Sequence, residues 1–168
     1  MIKIKTNRLL LKKPKQRDQN NLIELLNNWE VVKWLSHVPF PYTQNDARNW
    51  LKEVQRENLN LNIFLEDELI GGIGLTLDQK ENYELGYWLG EEFWGRGYAT
   101  EAGIALLNKA YLITNPKGIL ATYMIENTSS GNVLAKLGFS IVGEGVKYSA
   151  SRKKDVPIMY MEFKKEKN

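Results

Sequence analysis

Residues 83–125 predict a strand, a glycine-rich turn, a helix and a second strand, in that order along the chain. Tyr83–Leu89 has the composition of a strand, and residues 99–113 carry small and apolar side chains at helical spacing. Pro116-Lys117-Gly118 ends the helix, and residues 119–125 predict the second strand. Two strands joined by one helix lie parallel, and such crossovers are right-handed in nearly all proteins. The sequence therefore predicts a right-handed parallel βαβ unit at the centre of the fold.

The rest of the chain predicts short strands and amphipathic helices around that unit. One helix begins with the capping pattern of Thr43 and Asp46, and Gly138 is expected to end another in the left-handed conformation. Most of the strands are expected to pair antiparallel, so the predicted class is α+β with a mixed, mostly antiparallel sheet. A polar segment, residues 149–155, is expected to join the last two strands. The strands are predicted at residues 8–12, 61–66, 69–77, 139–146 and 156–163, and the helices at residues 22–29, 43–54 and 129–137, with a further turn at residues 31–35.

The composition is that of an ordinary globular protein, and it excludes several classes of site. The 168 residues contain no repeat or linker, so one domain spanning residues 1–168 is expected. The lack of cysteine excludes disulfides and a cysteine nucleophile, and the single histidine, His37, argues against a zinc site or a serine–histidine triad. No apolar run approaches the ~20 residues that cross a bilayer. Residues 1–5 alternate like a strand rather than a signal peptide, so the cytoplasm is the expected location.

The net charge of +3 comes from short basic runs at residues 12–15 and 152–154 and from a lysine-rich C-terminus. Such runs are usually solvated surface. No basic stripe with interleaved aromatic residues occurs, so neither direct nucleic-acid reading nor a membrane partner is expected.

The glycine-rich turn is the first candidate site. In Trp94-Gly95-Arg96-Gly97-Tyr98-Ala99, two glycines precede a helix whose first turn has unpaired N–H groups and attracts anions. Glycine permits positive φ and a close approach of the backbone to a phosphate. A plain strand-to-helix turn would use the same glycines, so the loop alone leaves both interpretations open. A Rossmann fingerprint would need glycine at Thr100, and a P-loop would need Gly-Lys-Ser/Thr, so neither motif is present.

The second candidate site follows the second strand of the crossover. Residues 126–139 read as a strand end, a polar helix cap, a short helix and the glycine stop at Gly138. Capping explains part of this pattern. It does not explain why Asn127 and Ser130 lie at the carboxyl edge of a parallel strand pair, where ligands of open α/β units bind.

Together the two motifs resemble the Gcn5-related N-acetyltransferase (GNAT) superfamily, in particular its RimJ/RimL-type branch. The family phosphate motif Gln/Arg-x-x-Gly-x-Gly/Ala maps to residues 94–99, with Trp94 as the first residue. A basic residue that commonly follows the serine is Asn132 here. The segments at residues 7–11 and 39–43 are also similar, so the resemblance covers residues 6–163. The downstream Asn-x-x-Ser…Leu-Gly-Phe wording is matched by Asn127, Ser130, Leu137, Gly138 and Phe139.

The resemblance implies the GNAT fold and acetyl-coenzyme A as co-substrate, with no metal. In that fold the strand before the phosphate loop carries a bulge and splays from the next parallel strand. Unpaired amides at residues 87–89 would then bind the pantetheine arm and polarise the thioester carbonyl. The implied donor-binding residues are Tyr87, Trp88, Leu89, Trp94, Gly95, Arg96, Gly97, Tyr98, Ala99, Thr100, Asn127, Ser130 and Lys136.

The resemblance also implies a reaction, which is direct attack of a neutral primary amine with no covalent enzyme intermediate. Glu84 is the expected base, acting directly or through water, and Glu126 and Asp155 are the alternatives. Ser130 is expected to protonate or hydrogen-bond the departing thiolate, with Asn127 holding the pantetheine arm or a water. Many other branches use a tyrosine for that proton, but Tyr123 and Tyr148 do not lie at the position where it is expected.

The acceptor cannot be read from the sequence. A protein N-terminal α-amine, as in ribosomal-protein acetyltransferases, and a small-molecule amine both fit, and the chain is expected to be a monomer or a homodimer. The alternative is a non-catalytic coenzyme A-binding sensor or interaction module, against which the presence of Glu84, Asn127 and Ser130 argues. His37 is given no catalytic role. The residues that would cover the acceptor pocket, mostly as packing, are Trp29, Trp34, His37, Phe40 and Tyr42.

Overall fold

A computed structural model describes residues 2–56, 59–78, 80–114 and 116–164, which form an eight-stranded sheet flanked by helices. Along the sheet the order is β1-β2-β3-β4-β5-β6-β8-β7, with β5 and β6 parallel and the other pairs antiparallel. The predicted mixed, mostly antiparallel sheet is confirmed. Met1 and the C-terminal lysines at positions 165 and 167 lie outside the described residues. The strands are β1 (Lys3–Lys5), β2 (Leu9–Lys12), β3 (Asn60–Leu65), β4 (Glu68–Leu77), β5 (Tyr83–Leu89), β6 (Ile119–Met124), β7 (Phe139–Ser149) and β8 (Lys154–Phe163).

The helices are α1 (Gln19–Leu26), α2 (Trp29–Val32), α3 (Gln44–Val54), α4 (Tyr98–Ile113) and α5 (Thr128–Lys136). The predicted capping box starts α3, because the Thr43 hydroxyl accepts from the Asp46 amide and the Asp46 carboxylate accepts from the Thr43 amide. The prediction of one helix over residues 22–29 was wrong. Asn28 interrupts it by accepting from the Glu30 amide, which caps a new helix, α2. None of the described helices is long and apolar enough to span a membrane.

Helices cover both faces of the sheet because side chains alternate along its strands. On β3, Ile63 packs in the cluster that includes Leu106 of α4, whereas its neighbour Phe64 packs with Leu22 of α1 and Leu51 of α3. The helices α4 and α5 thus lie on one face, and α1 and α3 lie on the other. Burial of these apolar side chains is the main term that holds the layers together.

The central parallel pair is short. β5 and β6 pair at only three positions, Tyr83 with Ile119, Glu84 with Leu120 and Leu85 with Ala121. Beyond them, β5 stays in register with β4 and β6 stays in register with β8, so each strand follows its outer neighbour and the two diverge. The expected splay is therefore present, but the expected bulge is not. The register between β4 and β5 is continuous over the whole of β5, so the gap arises from the divergence of β6.

The last hairpin is longer than predicted. β7 extends to Ser149 and β8 begins at Lys154, so most of the polar segment at residues 149–155, expected as a connection, belongs to strands or a tight turn. Lys153, Lys154 and Asp155 are exposed there, whereas Ser149 and Ser151 are buried, and the Ser151 hydroxyl donates to the Val32 carbonyl at 3.1 Å. The extension places Lys147 on β7, opposite Val156.

Candidate active site

A cleft of about 1080 Å³ opens where β5 and β6 diverge, and it runs from the start of α4 past α5 to α1 and α3. Nearly all of the site residues expected from the sequence line it, and Glu126 does so as well. Arg96 and the alternative base Asp155 are not among the described residues of its wall. The expected residues that line it are Glu84, Tyr87, Trp88, Leu89, Trp94, Gly95, Gly97, Tyr98, Ala99, Thr100, Asn127, Ser130 and Lys136.

The backbone of β5 supplies hydrogen-bond donors to the gap. The Tyr83 amide donates to the Gly118 carbonyl at 3.0 Å, on the side where β6 begins. Because backbone groups point alternately to the two sides of a strand, the amides of Tyr87 and Leu89 also face that side, where β6 has moved away. The amide of Trp88 faces β4 instead. Of residues 87–89, two thus direct amides into the cleft, and Trp88 contributes its side chain.

The glycine loop leaves backbone N–H donors uncapped at the start of α4. Gly95 and Gly97 have φ of 72° and 78°, a region that glycine enters without strain, and Gly97 is the N-cap of α4. Gly97 has no side chain with which to cap the helix, and the first-turn amides of residues 98–100 have no acceptor within the helix. The Trp94 indole donates to the Leu89 carbonyl at 2.9 Å, which ties the loop to the end of β5. The first-turn amides of α4 suit the pyrophosphate of coenzyme A.

Tyr87 connects the two sides of the splay. Its hydroxyl lies 2.8 Å from the Ser130 Oγ atom and 3.1 Å from the Ser130 carbonyl oxygen, so β5 is linked to the first turn of α5. Burial raises the pKa of Tyr87 to about 12, while the hydrogen bond with Ser130 acts in the opposite direction. The phenol is therefore protonated at neutral pH. The sequence pointed to the backbone of this residue and missed the contact of its side chain with Ser130.

Asn127 has the capping role that the sequence suggested. Its Oδ1 atom accepts from the Ser130 amide at 3.2 Å, which fixes the start of α5 at the mouth of the gap. Because Oδ1 is used in this way, Asn127 can hold a ligand in the cleft by donation from its Nδ2 atom. The cap also fixes the position of Ser130 relative to Tyr87.

Glu84 lies on the α1 and α3 face of β5, and two neighbours hold it there. Its Oε1 atom accepts from the Thr122 hydroxyl at 3.0 Å and from the Lys147 ammonium at 2.9 Å. The Glu84 side chain is 42% exposed and that of Lys147 is 24% exposed, so the pair borders the cleft without being sealed. Sequence reasoning missed Lys147, because no motif surrounds it and its place depends on the pairing of β7 with β8.

His37 faces the same pair from the loop after α2. Partial burial lowers its pKa, the Lys147 cation lowers it further, and the Glu84 carboxylate acts in the opposite direction. Its imidazole is therefore neutral at pH 7 and is able to accept a proton. Its identity as the only histidine of the chain was the signal available in the sequence, and no catalytic role was drawn from it.

The expected acceptor-side aromatic residues divide into two groups. Trp34 and Tyr42, like His37, line the cleft. Burial raises the pKa of Tyr42 to about 12, and the charges of Asp46 and Glu53 raise it too, so carboxylates lie close to this wall. Among the described residues, Trp29 and Phe40 are not part of the lining, and their rings pack edge to face with centroids 5.3 Å apart.

The alternative bases are placed less favourably than Glu84. Glu126 lines the cleft, but its side chain is 63% exposed and accepts from the Arg152 guanidinium at 3.1 Å. Asp155 is exposed on β8, opposite Tyr148. Neither carboxylate lies on β5 beside the gap between the strands.

Known proteins resemble this chain in sequence and in fold. Residues 8–140 match the family model described as "Acetyltransferase (GNAT) domain". The chain is 31% identical over 147 residues to the "Uncharacterized N-acetyltransferase p20" of Bacillus licheniformis, and the aligned region covers 82% of each protein. It is 26% identical over 161 residues to the "[Ribosomal protein uS5]-alanine N-acetyltransferase" of Escherichia coli, covering 88% of this chain and 82% of that protein. The crystal structure of a GNAT-family acetyltransferase from Bacillus anthracis superimposes with a TM-score of 0.85 and 26% identity, over 99% of this chain and 100% of that one.

Proposed function

The chain belongs to the GNAT acetyltransferase family, and we propose that it transfers the acetyl group of acetyl-coenzyme A directly to a primary amine, as in the RimJ/RimL-type branch. The observation that carries this proposal is the gap between β5 and β6. It has backbone donors on one side, the glycine loop at one end and Glu84 on the face opposite α4. When bound, acetyl-coenzyme A supplies a thioester carbonyl that an amine can attack.

The donor is held mainly by backbone atoms. The loop at Gly95 and Gly97 and the first turn of α4 would take the pyrophosphate, with Lys136 as a further cation on the wall of the cleft. The amides of Tyr87 and Leu89 would bind the pantetheine arm and orient the thioester carbonyl. Donors fixed in this way are worth several kcal/mol for acyl transfer, since they need no reorganisation during the reaction.

Glu84 is the proposed base. Thr122 and Lys147 hold its Oε1 atom, which leaves Oε2 to accept a proton from the amine, directly or through a water. A lysine side chain has a pKa of about 10.4 and an α-amine one of about 7.7–8.0, so either acceptor must lose a proton near neutral pH. The Lys147 cation assists, because a nearby like charge disfavours the ammonium form of the acceptor. His37 is a second candidate for the proton, because it is neutral and faces the same pair.

Ser130 is the proposed donor to the departing sulfur. Its hydroxyl lies at the mouth of the gap and within 2.8 Å of the Tyr87 phenol. Because Tyr87 stays protonated at neutral pH, it can donate to Ser130 while Ser130 donates to the sulfur of coenzyme A. Asn127 would hold the pantetheine arm through its amide nitrogen. The two hydroxyls would thus act as a pair.

The proposed acceptor is either a protein N-terminus or a small-molecule amine. The similar Escherichia coli protein is named for an alanine of a ribosomal protein, which supports a free α-amine as one acceptor and a cytoplasmic location. The carboxylates near Tyr42 are compatible with a cationic small amine. We propose that the enzyme acts as a monomer or a homodimer.

Release of free thiol from acetyl-coenzyme A across an amine panel tests this function. The panel contains a peptide with a free N-terminus, a lysine peptide with a blocked N-terminus, a polyamine and an amino acid. We expect amine-dependent release with at least one acceptor, and mass spectrometry should find one added acetyl group on it. Tight binding of acetyl-coenzyme A with no release from any amine would favour the non-catalytic sensor, and no binding at all would reject both readings.

A further inference from the structure

The connection between β1 and β2 lies against the glycine loop. Arg8, in this connection, donates from Nη1 to the carbonyl oxygen of Arg96 at 2.9 Å and from Nε to the Glu101 carboxylate at 2.7 Å. Its guanidinium also lies 4.6 Å from the centre of the Tyr98 ring. One side chain near the N-terminus of the chain thus contacts the loop and two residues of the first turn of α4.

The contact with Arg96 sets the direction of a donor in the loop. In a trans peptide the carbonyl and the following N–H point in opposite directions. When Arg8 holds the carbonyl of Arg96, the amide of Gly97 is therefore turned away from Arg8. Gly95 and Gly97, on either side of Arg96, have positive φ and few steric restraints of their own. The hydrogen bond from Arg8 restrains the peptide between Arg96 and Gly97, which the two glycines alone do not restrain.

The contact between Arg8 and Glu101 offsets the negative charge of a carboxylate at the start of α4. A carboxylate in the first turn of a helix stabilises that helix, but it also repels an anion that binds there. Burial pushes the pKa of Glu101 upward, and hydrogen bonds from Thr6 and from the backbone and side chain of Arg8 outweigh it, so the pKa lies below its ordinary value. Glu101 is therefore charged at neutral pH. The Arg8 guanidinium neutralises it beside the proposed phosphate site.

We propose that Arg8 is a positioning residue for the pyrophosphate of coenzyme A, which acts by fixing the peptide between Arg96 and Gly97 and by neutralising Glu101. This inference rests on the proposed function. It assigns the recognition of the donor phosphates partly to a segment 88 residues before the loop in sequence. Arg8 is 41% exposed in its side chain, so its substitution does not open the core.

Arg8→Met tests the inference, with Arg17→Met as the control because Arg17 is 68% exposed and lies on the turn before α1. We expect calorimetry to show coenzyme A binding weakened by about tenfold in Arg8→Met, equivalent to about 1.4 kcal/mol, and unchanged in Arg17→Met. The KM for acetyl-coenzyme A should rise in parallel while kcat stays within about twofold. The KM for acetyl-pantetheine, which lacks the pyrophosphate, should not change.

A readout without ligand separates positioning from general damage. In the ligand-free protein, hydrogen exchange at residues 95–98 should be faster in Arg8→Met than in the Arg17→Met control, while exchange in β3 and β4 is unchanged. If Arg8→Met does not fold, Arg8→Lys replaces it, because lysine keeps the charge but lacks the planar fork that reaches both partners. We expect Arg8→Lys to bind coenzyme A about threefold or more weakly, which is about 0.65 kcal/mol.

Equal coenzyme A affinity in the Arg8 variants and the control would overturn the inference. An equal loss with acetyl-pantetheine would do the same, because it would show a structural effect that is not specific to the phosphates. If the unmodified protein binds no coenzyme A, the proposed function fails instead. The two failures are therefore distinguishable.

Discussion

The donor half and the acceptor half that we propose for the cleft are made from different parts of the chain. The donor half uses backbone atoms, namely the amides of Tyr87 and Leu89 and the glycine loop before α4. The acceptor half uses side chains from separate segments, with Glu84 on β5, Lys147 on β7 and His37 in the loop after α2. A backbone site depends on the course of one βαβ crossover, whereas the side-chain site depends on which distant residues meet. Changes in the two halves should therefore alter different kinetic constants.

The largest effect is expected in the acceptor half. Glu84→Gln should lower kcat by about 10²-fold, because a positioned general base contributes at least that much. Its dissociation constant for coenzyme A should stay within about twofold, since backbone atoms hold the donor. Steady-state kinetics and calorimetry check the two values. Glu126→Gln is the matched control, and an equal fall in its kcat would show that the base is assigned wrongly.

A change in the donor half should show the opposite pattern. Gly97→Ala should weaken coenzyme A binding by about tenfold, because a residue with a Cβ in the left-handed region costs about 1–2 kcal/mol. The kcat at saturating acetyl-coenzyme A should change much less. Gly143→Ala on β7 is the control, since its added methyl group would meet no atom within 4 Å and its φ is not positive. Calorimetric titration with coenzyme A decides, and unchanged affinity in Gly97→Ala would contradict the anion site.

Lys147→Met tests the electrostatics of the acceptor half. Removal of the cation raises the proton affinity of the bound amine, so the acid limb of the pH–rate profile should move to higher pH by about one unit. Activity should then fall by about tenfold at a pH on that limb and recover at high pH. The pH dependence of kcat/KM measures this shift. A shift to lower pH, or a uniform fall at every pH, would be inconsistent with the proposed role.

Tyr87→Phe concerns the boundary between the two halves. Loss of the phenol removes one hydrogen bond to Ser130, and a typical net value of about 0.5–1.5 kcal/mol predicts a fall in kcat of about two- to tenfold. Coenzyme A affinity should be retained, because the Tyr87 amide is unchanged. Ser130→Ala should cost less in this background than in the unmodified protein if the hydroxyls act as a pair. Losses in kcat that multiply independently in a double-mutant cycle would show that the two hydroxyls do not act as a pair.

The smallest effect is expected for His37→Gln. The pKa of His37 is lowered, so the ring is neutral at pH 7 and becomes a cation only as the pH falls through that lowered value. The protonated ring can no longer accept a proton or a hydrogen bond from the acceptor amine, so the unmodified protein should lose activity in that acid range. The glutamine variant should differ by about twofold or less at pH 7 and retain more activity in acid. A large loss at pH 7 would instead make His37 the base.

Local patterns in the sequence predicted the fold well where one rule governed the outcome. The strand–loop–helix–strand order at residues 83–125 fixed the parallel pair, and the capping box at Thr43 fixed the start of α3. Gly138 has a φ of 97°, as its position after α5 predicted. The errors arose where tertiary contacts decide. Hydrophobic spacing at residues 22–29 could not reveal that Asn28 would start a new helix.

The candidate site could be predicted from the sequence to a similar extent as the fold. Motif spacing placed the donor residues, and all of those predicted except Arg96 line the cleft. The meeting of Lys147 with Glu84 depends on an ion pair between residues 63 apart in sequence, and no local pattern encodes it. The Tyr87–Ser130 contact likewise depends on how far two strands diverge. Long-range pairing of this kind is set by the whole sheet.

The three paired positions between β5 and β6 have a further consequence for the sheet as a whole. The sheet consists of two smaller sheets, one made of β1 to β5 and the other of β6, β8 and β7. They meet along β5 and β6, which are hydrogen-bonded to each other at one end and separated at the other. A pantetheine arm lying along the open end would act as the missing strand, because its amides can pair with backbone groups that have lost their neighbour. Coenzyme A is then part of the hydrogen bonding of the sheet, and its binding should raise the melting temperature with ligand concentration. Bound acetyl-coenzyme A would thus fill the gap in the sheet at which it reacts.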